Sequence, residues 1–421
     1  MKRNAEEGTM TALPEHGRPW NELDREMDAA ARDDVDWRGG RIGVYVHYAG
    51  AEALEVAKKA YLKFFSENGL GPRAFPSLAK FEADVVAMTL GLLQGGADAR
   101  GAMTTGGTES IFLAVKSARD RVLSRQPGLE RPQIVVPQTA HPAFNKAAHW
   151  LGLEVTRVPV GPDFRADIQA MAAAVGPRTI LLVGSAPAYP HGVMDPIAEL
   201  GAIALERDIW LHVDACVGGF IAPFARMLGE PIGAFDFAVP GVVSMSADLH
   251  KYGYTAKGAS TVLFRDEAAY RFLAYSFSDW PRGLYSTQTL VGTRAGGAIA
   301  AAWAVMNFLG EEGYRDVTRR ILATRKAIGD GVTSLGLEVW GKPQLSILSY
   351  GSRQLDIGQV ADRLGSRGWF VGRLVDPPGI HLMLNMTHEA IVEDYLRDVA
   401  WSLGEVRAGR INSRAPSQAI Y

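Results

Sequence analysis

Two residues of this 421-residue chain have the type and placement for chemistry on a carbonyl compound. Lys251 follows His250 in the segment SADLHKYG, after an apolar run. A lysine enclosed by protein can lose its proton and condense with an aldehyde, because burial disfavours the ammonium form. Asp214 ends the apolar run IWLHVD, and a carboxylate at a strand end can keep a pyridine nitrogen protonated, which makes that ring an electron sink. Taken singly, Lys251 also fits a surface lysine and Asp214 a helix cap.

Two further segments supply groups for an aromatic, phosphorylated ligand. In TTGGTES, Gly106 and Gly107 let the backbone approach closely, and Thr108 leads into a helix whose N-terminus favours a phosphate. The spacing is not that of a Walker A loop. His141 follows the apolar run QIVVPQ and is placed to stack on a ring, although alone it also fits an ordinary helix-start histidine. In this order, the phosphate cradle, histidine, aspartate and lysine are the parts of a pyridoxal 5'-phosphate site.

The chain around these residues alternates between strand and helix patterns. Short apolar runs such as QIVVPQ, LEVTRVPV, TILLVGSAP and IWLHVDAC predict strands, and the amphipathic stretches between them predict helices. Repeated βα units with almost continuously apolar strands are typical of a largely parallel sheet covered on both faces. The fold class predicted from this pattern is α/β.

The pattern also divides the chain along its length. Before the βα units, Pro14, Gly17 and Pro19 interrupt any helix, which predicts an arm or an irregular lead-in over about the first forty residues. A long helical stretch after residue 295 leads into a smaller region that alternates strand and helix. We therefore predict an N-terminal segment, a large α/β domain and a small α+β C-terminal domain, at residues 1–75, 76–305 and 306–421.

Composition excludes several classes of protein. Lys and Arg number 44 against 46 Asp and Glu, so the chain lacks the positive charge of a nucleic-acid binder. Its single cysteine, Cys216, excludes an intramolecular disulfide framework and a cysteine-rich zinc site, and it favours a reducing compartment such as the cytoplasm. The N-terminus has no apolar core of a signal peptide, and no apolar run is long enough to span a membrane. We expect a chain that is neither exported nor membrane-embedded.

Five segments carry a resemblance to a known family: GAMTTGGTESIFLAVKSARD, HPAFNKAAHWLG, GSAPAYPHGVMDPI, HVDACVGGF and SMSADLHKYGYTAKGAS. They resemble the sphingosine-1-phosphate lyases, in their soluble bacterial form, within the group II pyridoxal-phosphate-dependent decarboxylase superfamily. The resemblance implies the fold-type I, aspartate aminotransferase-like architecture and a homodimer with active sites at the subunit interface. It also implies retro-aldol cleavage of the C2–C3 bond of a phosphorylated long-chain base, giving phosphoethanolamine and a long-chain aldehyde.

The resemblance assigns roles to the cofactor residues. Lys251 is expected to bind the cofactor covalently, Asp214 to pair with its pyridinium nitrogen and His141 to stack on its ring. Thr108, with the two glycines before it, and His250 are expected to hold the cofactor phosphate.

The resemblance also places residues around the substrate. Tyr189, in APAYPHG, matches a tyrosine beside the reacting carbons and is a candidate for proton transfer, although a packed aromatic residue fits this position too. The substrate phosphate is expected to meet Tyr45, Lys257 and the pair Thr293 and Arg294 in VGTRAGG. Thr293 and its neighbours are expected to reach the cofactor and substrate from the partner subunit.

The chain departs from the family pattern near the predicted phosphate end. A histidine of the segment that resembles NPLHPD.FPG is replaced by Gly71, and Arg73 stands where a guanidinium can supply the lost positive charge. Gln288 and Ala295 stand where prolines are usual, and Arg282 where a glycine is usual. These changes bear on the substrate much more than on the cofactor.

Three alternatives stay open at this point. The first is an amino-acid decarboxylase that uses the same cofactor residues and needs no phosphate site. The second is a lyase for a smaller phosphorylated β-hydroxy amine. The third is a catalytically silent binding protein, which the intact Lys251 and Asp214 argue against.

Overall fold

The computed structural model describes residues 12–410. Its α-helices are α1 (Trp20–Ala30), α2 (Ala51–Lys63), α3 (Pro76–Leu92), α4 (Gly107–Arg125), α5 (Ala143–Leu151), α6 (Ile168–Ala174), α7 (Ile197–Glu206), α8 (Ala222–Met227), α9 (Glu267–Tyr270), α10 (Gly296–Ser334), α11 (Ile357–Ser366) and α12 (Val392–Arg407). Its strands are β1 (Arg100–Thr104), β2 (Gln133–Pro137), β3 (Glu154–Val158), β4 (Thr179–Ser185), β5 (Trp210–Asp214), β6 (Val242–Ala247), β7 (Ser260–Phe264), β8 (Tyr275–Phe277), β9 (Tyr285–Thr287), β10 (Glu338–Val339), β11 (Ile347–Gly351), β12 (Gly372–Val375) and β13 (Pro378–Met383).

The large sheet has seven strands in the order β1-β7-β6-β5-β4-β2-β3. Strands β6, β5, β4, β2 and β3 are mutually parallel, while β7 runs antiparallel to both of its neighbours. Every residue of β4 and β5 is buried, as expected for a parallel sheet with helices on both faces. The predicted α/β class with a mostly parallel sheet is confirmed.

Helices cover both faces of this sheet. On one face, α4 and α5 bury Ala114, Ala118 and Phe144 against the strand residues Trp210 and Phe264. On the other face, α3, α7 and α10 contribute to a second and larger apolar core. Burial of a large apolar side chain such as Phe144 contributes roughly 1.5–3 kcal/mol to stability, so this layering fixes the strand ends that carry the site.

The small domain is an antiparallel sheet in the order β10-β11-β13-β12, covered by α11 and α12. This confirms the predicted α+β character of the C-terminal region. The long helix α10 joins the two domains and kinks at Gly310, where φ is 55°. The boundary predicted at residues 305 and 306 therefore lies inside α10.

The N-terminal segment differs from its prediction. The expected irregular lead-in is wrong for α1, which begins directly after Pro19, because proline's fixed φ suits a helix start and does not interrupt it there. Residues 1–11 of that lead-in lie outside the described residues. Further on, Gly43 N–H donates to Phe370 O at 2.8 Å and Met383 N–H donates to Gly43 O, so the segment before α2 is bonded to the small domain. Across residues 12–410, none of the helices combines the length and apolar character that membrane crossing requires.

Candidate active site

A cavity of about 350 Å³ opens where the carboxyl ends of the parallel strands meet the first turn of α4. Ser185 and Asp214, the last residues of β4 and β5, both line it. The cavity brings together seven of the residues predicted from the sequence: Gly107, Thr108, His141, Tyr189, Asp214, His250 and Lys251. Its size is at the lower end of the range for small-molecule sites.

Asp214 is held in place by its own loop and by the next strand. Its Oδ1 accepts a hydrogen bond from the backbone N–H of Cys216 at 3.1 Å and one from the Ser246 hydroxyl at 3.4 Å. Because β5 lies in the middle of the parallel sheet, this carboxylate is buried at the floor of the cavity. It is thus preorganised to interact with a positive group of a bound ligand.

Lys251 lies in the loop after β6, with its side chain 20% exposed and its Nζ 3.0 Å from Asp248 Oδ2. Burial lowers the pKa of Lys251, but the carboxylate of Asp248, with smaller contributions from Cys216 and Asp214, raises the pKa by more. The net pKa therefore lies above its ordinary value. Burial alone does not release the lysine proton in this chain, because acidic neighbours keep the ammonium form.

The turn from β1 into α4 forms a bare backbone cradle. A Cβ added at Gly107 would lie 2.7 Å from Cys216 Sγ and 2.9 Å from each carboxylate oxygen of Asp248, so no larger residue fits there without a shift. The turn is tied by Glu109, whose Oε2 accepts from the backbone N–H of Thr105 at 2.7 Å. The free N–H groups and positive end of a 19-residue helix therefore border the cavity, as anion binding requires.

The two cavity histidines are both held by a backbone N–H group that donates to Nδ1. His141 Nδ1 accepts from Ala143 N–H at 3.1 Å, and His250 Nδ1 accepts from Ala259 N–H at 3.2 Å. Burial lowers the pKa of both rings. Each ring is therefore neutral near pH 7 with its proton on Nε2, which suits His250 as a donor to an anion.

Tyr189 connects the cavity to the small domain. Its ring lies edge-on to His141 with centroids 6.4 Å apart, and it packs on His381 of β13 at 4.6 Å. His381 Nε2 donates to Tyr189 O at 2.9 Å, and burial lowers the pKa of His381 to about 4. Through these contacts the small domain fixes one wall of the site. His381 lies in the strand-like run IHLML, and no sequence motif singles it out.

Tyr45 and Lys257 meet beside the loop that carries His250 and Lys251, outside the cavity lining. Lys257 Nζ donates to His250 O at 3.1 Å and to Tyr45 O at 3.3 Å. Burial, reinforced by the charge of Lys251, lowers the pKa of Lys257. Tyr45 has φ of 66°, a left-handed conformation that is uncommon for a residue other than glycine and that clusters at functional sites.

The chain does not bring Arg73, Thr293 and Arg294 to this cavity. They lie in or beside a separate hollow between residues 68–82 and 286–294. The Arg294 guanidinium binds the carboxylate of Glu82 and donates to Gly69 O at 3.2 Å, so within the chain it ties these two segments together. Arg73 and Thr293 are exposed.

Comparison with known proteins identifies the family. The model of the pyridoxal-dependent decarboxylase conserved domain matches residues 63–338. The sphingosine-1-phosphate lyase of Arabidopsis thaliana is 42% identical over 396 residues, which cover 92% of this chain and 72% of that protein. The chain belongs to the sphingosine-1-phosphate lyase family. It is a pyridoxal-phosphate-dependent lyase.

Solved structures agree with this membership. The structure of the sphingosine-1-phosphate lyase of Burkholderia pseudomallei is 38% identical, with a TM-score of 0.91 over 96% of this chain and 95% of that one. The glutamate decarboxylase of Lactobacillus brevis is only 21% identical but has a TM-score of 0.83, over 94% of this chain and 95% of that one. This second likeness concerns the fold alone. The family match and the Burkholderia pseudomallei structure place the chain among the fold-type I pyridoxal phosphate enzymes.

The residues of the cavity fit pyridoxal phosphate. The backbone cradle formed by Gly107 and Thr108 at the start of α4 lines the cavity, and its N–H groups are placed to bind a phosphate. In the same lining, Asp214 supplies the carboxylate for a pyridinium nitrogen, and Lys251 supplies the amine for an aldehyde.

Proposed function

We propose that this protein cleaves the C2–C3 bond of sphingosine 1-phosphate, or of a related phosphorylated long-chain base, by a retro-aldol reaction. The products are phosphoethanolamine and a long-chain aldehyde. The observation that carries the proposal is the single cavity that joins Lys251, Asp214, His141 and the α4 cradle, in a chain 42% identical to a lyase with this substrate in its name.

When bound, pyridoxal phosphate supplies an aldehyde for the amine and a ring that accepts the electrons of the broken bond. Side chains of the protein supply the remaining functions. With the cofactor bound, Asp214 would pair with the ring nitrogen and hold its proton, and His141 would stack on the ring. Lys251 would be the point of attachment for the aldehyde, and Tyr189 would take the proton of the substrate 3-hydroxyl.

The same cavity would hold the cofactor phosphate. Gly107 and Thr108 would bind it through the backbone at the start of α4, with His250 beside them in the cavity lining. The exposed Thr293 of a second subunit adds a hydroxyl to this end of the site.

The substrate phosphate is bound at the mouth of the cavity. Tyr45 and Lys257 of the same chain lie beside the loop that carries His250 and Lys251. Lys257 Nζ donates to His250 O of that loop at 3.1 Å. Arg73, which stands two residues after Gly71, provides the guanidinium from the partner subunit. Arg294, engaged by Glu82, contributes by fixing the loop that presents Thr293.

We also propose that the protein is a homodimer with shared active sites, located in the cytoplasm. The surface beside the second hollow is apolar: Leu70, Leu284 and Leu290 are 50%, 71% and 52% exposed. Exposed large apolar side chains in or next to the lining of one hollow favour a subunit interface. The single cysteine, Cys216, is a buried free thiol, which favours a reducing compartment.

Shared sites predict that two inactive variants restore each other's activity. Lys251→Ala removes the attacking amine, and Thr293→Glu sets a negative charge against the bound phosphates of the neighbouring subunit's cavity. If each site takes Lys251 from one chain and Thr293 from the other, co-refolding or co-expressing the two variants gives mixed dimers with one intact site, and about one quarter of wild-type activity returns. Steady-state rates of the mixture measure this.

The control is a mixture of Lys251→Ala with a double variant that carries both substitutions, which regains no activity. A Lys251→Ala and Thr293→Glu mixture that stays inactive, with mixed dimers demonstrated by mass spectrometry, contradicts the shared site.

The alternative function is decarboxylation of an amino acid. It is favoured by the engagement of Arg294 with Glu82 and by the exposed Arg73, because the substrate-phosphate contacts are incomplete within one chain. A substrate panel separates the two functions. The proposal predicts aldehyde release from sphingosine 1-phosphate and much slower release from unphosphorylated sphingosine, whereas carbon dioxide release from amino acids alone supports the decarboxylase. Aldehyde released only from small phosphorylated amino alcohols indicates a lyase for a smaller substrate.

A further inference from the structure

The loop that carries Lys251 also carries an aspartate that the sequence analysis did not single out. Asp248 is buried, and its Oδ2 lies 3.0 Å from Lys251 Nζ and 3.7 Å from His250 Nε2. Its other oxygen, Oδ1, is buried and has no hydrogen-bond partner among residues 12–410. A buried carboxylate is costly unless it is paired, so its pair with Lys251 is the main interaction that retains it in the charged form.

The surrounding backbone fixes this carboxylate. Asp248 N–H donates to Cys216 O at 3.3 Å, which ties the loop to the end of β5. Gly107 lies so close that a Cβ there would be 2.9 Å from both Asp248 oxygens. His250 Nδ1 accepts from Ala259 N–H, so the protonated Nε2 faces Asp248. The carboxylate has little freedom to leave Lys251.

We propose that Asp248 is a positioning residue that holds the Lys251 amino group in the cavity through the ion pair of its Oδ2 with Lys251 Nζ. The proposal rests on the proposed function only in taking Lys251 as the residue that attaches the cofactor. An amine attacks an aldehyde as the free base, so Asp248 sets the pH at which Lys251 becomes nucleophilic. The ion pair joins two residues of the protein itself, so it can be tested without substrate.

Titratable groups from several surrounding elements face Lys251. The acidic groups are Asp248 on its own loop, Asp214 and Cys216 at the end of β5, and Glu109 of α4 in the same cavity lining; the others are His141, His250, Tyr252, Lys257 and His47. Burial lowers the pKa of Lys251, and Asp248 is the largest of the groups that raise it. Reciprocally, burial raises the pKa of Asp248, but Lys251 and His250 outweigh burial and lower it. Loss of Asp248 should therefore leave burial as the dominant influence on Lys251.

The test is the pH dependence of Lys251 acetylation in the full-length protein freed of cofactor. Trace acetic anhydride is added at a series of pH values, and the peptide that contains Lys251 is quantified by mass spectrometry, with the exposed Lys342 as internal standard. In the wild type the midpoint for Lys251 lies above that for Lys342. In Asp248→Asn it falls by about 1–3 pH units, while Asp214→Asn, the matched loss of a second carboxylate, gives a smaller fall.

An unchanged Lys251 midpoint in a folded Asp248→Asn protein overturns the proposal, because a purely structural role would not move it. If Asp248→Asn does not fold, the wild-type measurement is the test. A wild-type acetylation midpoint of Lys251 at or below that of Lys342 overturns the proposal. Neither readout involves substrate, so a failure here is distinct from a failure of the proposed lyase activity.

Discussion

Replacing Lys251 with alanine is expected to abolish turnover, with a loss on the order of 10⁴-fold or more. The amine is the group that attaches the cofactor, and Asp248 holds it in the cavity at 3.0 Å. No other lysine lines the cavity among the described residues. Covalent attachment of pyridoxal phosphate, trapped by borohydride reduction and measured as a mass increase of the intact protein, is also expected to disappear.

Lys257→Ala is the matched control, because this lysine is six positions away and its Nζ reaches only the backbone oxygens of His250 and Tyr45. It should retain covalent cofactor attachment and raise the KM for a phosphorylated substrate. If Lys251→Ala still carries reducible cofactor and Lys257→Ala does not, the roles of the two lysines are reversed and the assignment is wrong.

Asp214→Asn is expected to lower kcat by roughly 10²–10³-fold at saturating cofactor. Asparagine keeps the shape and can still accept from Cys216 N–H, which Asp214 Oδ1 does at 3.1 Å. It lacks the charge that stabilises a protonated ring nitrogen, so the electron-accepting capacity of the ring falls. Measuring kcat over a range of pyridoxal phosphate concentrations separates this effect from weaker binding.

A buried carboxylate elsewhere in the fold supplies the comparison for Asp214→Asn. Asp195 is also buried and accepts from the backbone N–H groups of Ser185 and Ala166, but it is not part of the cavity lining. Asp195→Asn should cost stability, seen as a lower Tm, with much less change in kcat. Equal losses of kcat in the two folded variants would contradict a specific role for Asp214.

The gathering of His141, Asp214 and Lys251 at one cavity could be predicted from the sequence because of a property of parallel sheets. The runs that end at Ser185 and Asp214 are short and mostly apolar, and parallel strands in a βα fold place their carboxyl ends at one edge. Loops that follow such strands, including those with His141 and Lys251, must then lie together. The observed cavity has this arrangement.

Other features depend on tertiary packing that no short segment encodes. Strand β1, with sequence RGAMT, is short and contains Gly101, so it lacks a strong strand pattern, and it forms by pairing with β7. The ion pair of Arg294 with Glu82 joins groups that are 212 residues apart in the chain, so their distance is set by the whole fold. Helix α1 differs from the prediction because a proline interrupts a helix only in its interior, whereas Pro19 directly precedes the first residue of α1.

The most direct test of the central claim is identification of the products formed from sphingosine 1-phosphate by the purified wild-type protein with bound pyridoxal phosphate. We predict phosphoethanolamine and a long-chain aldehyde in equal amounts, with neither formed by Lys251→Ala. Intact substrate after prolonged incubation with a protein that carries covalently attached cofactor would contradict the account of the substrate, while leaving the cofactor site as described.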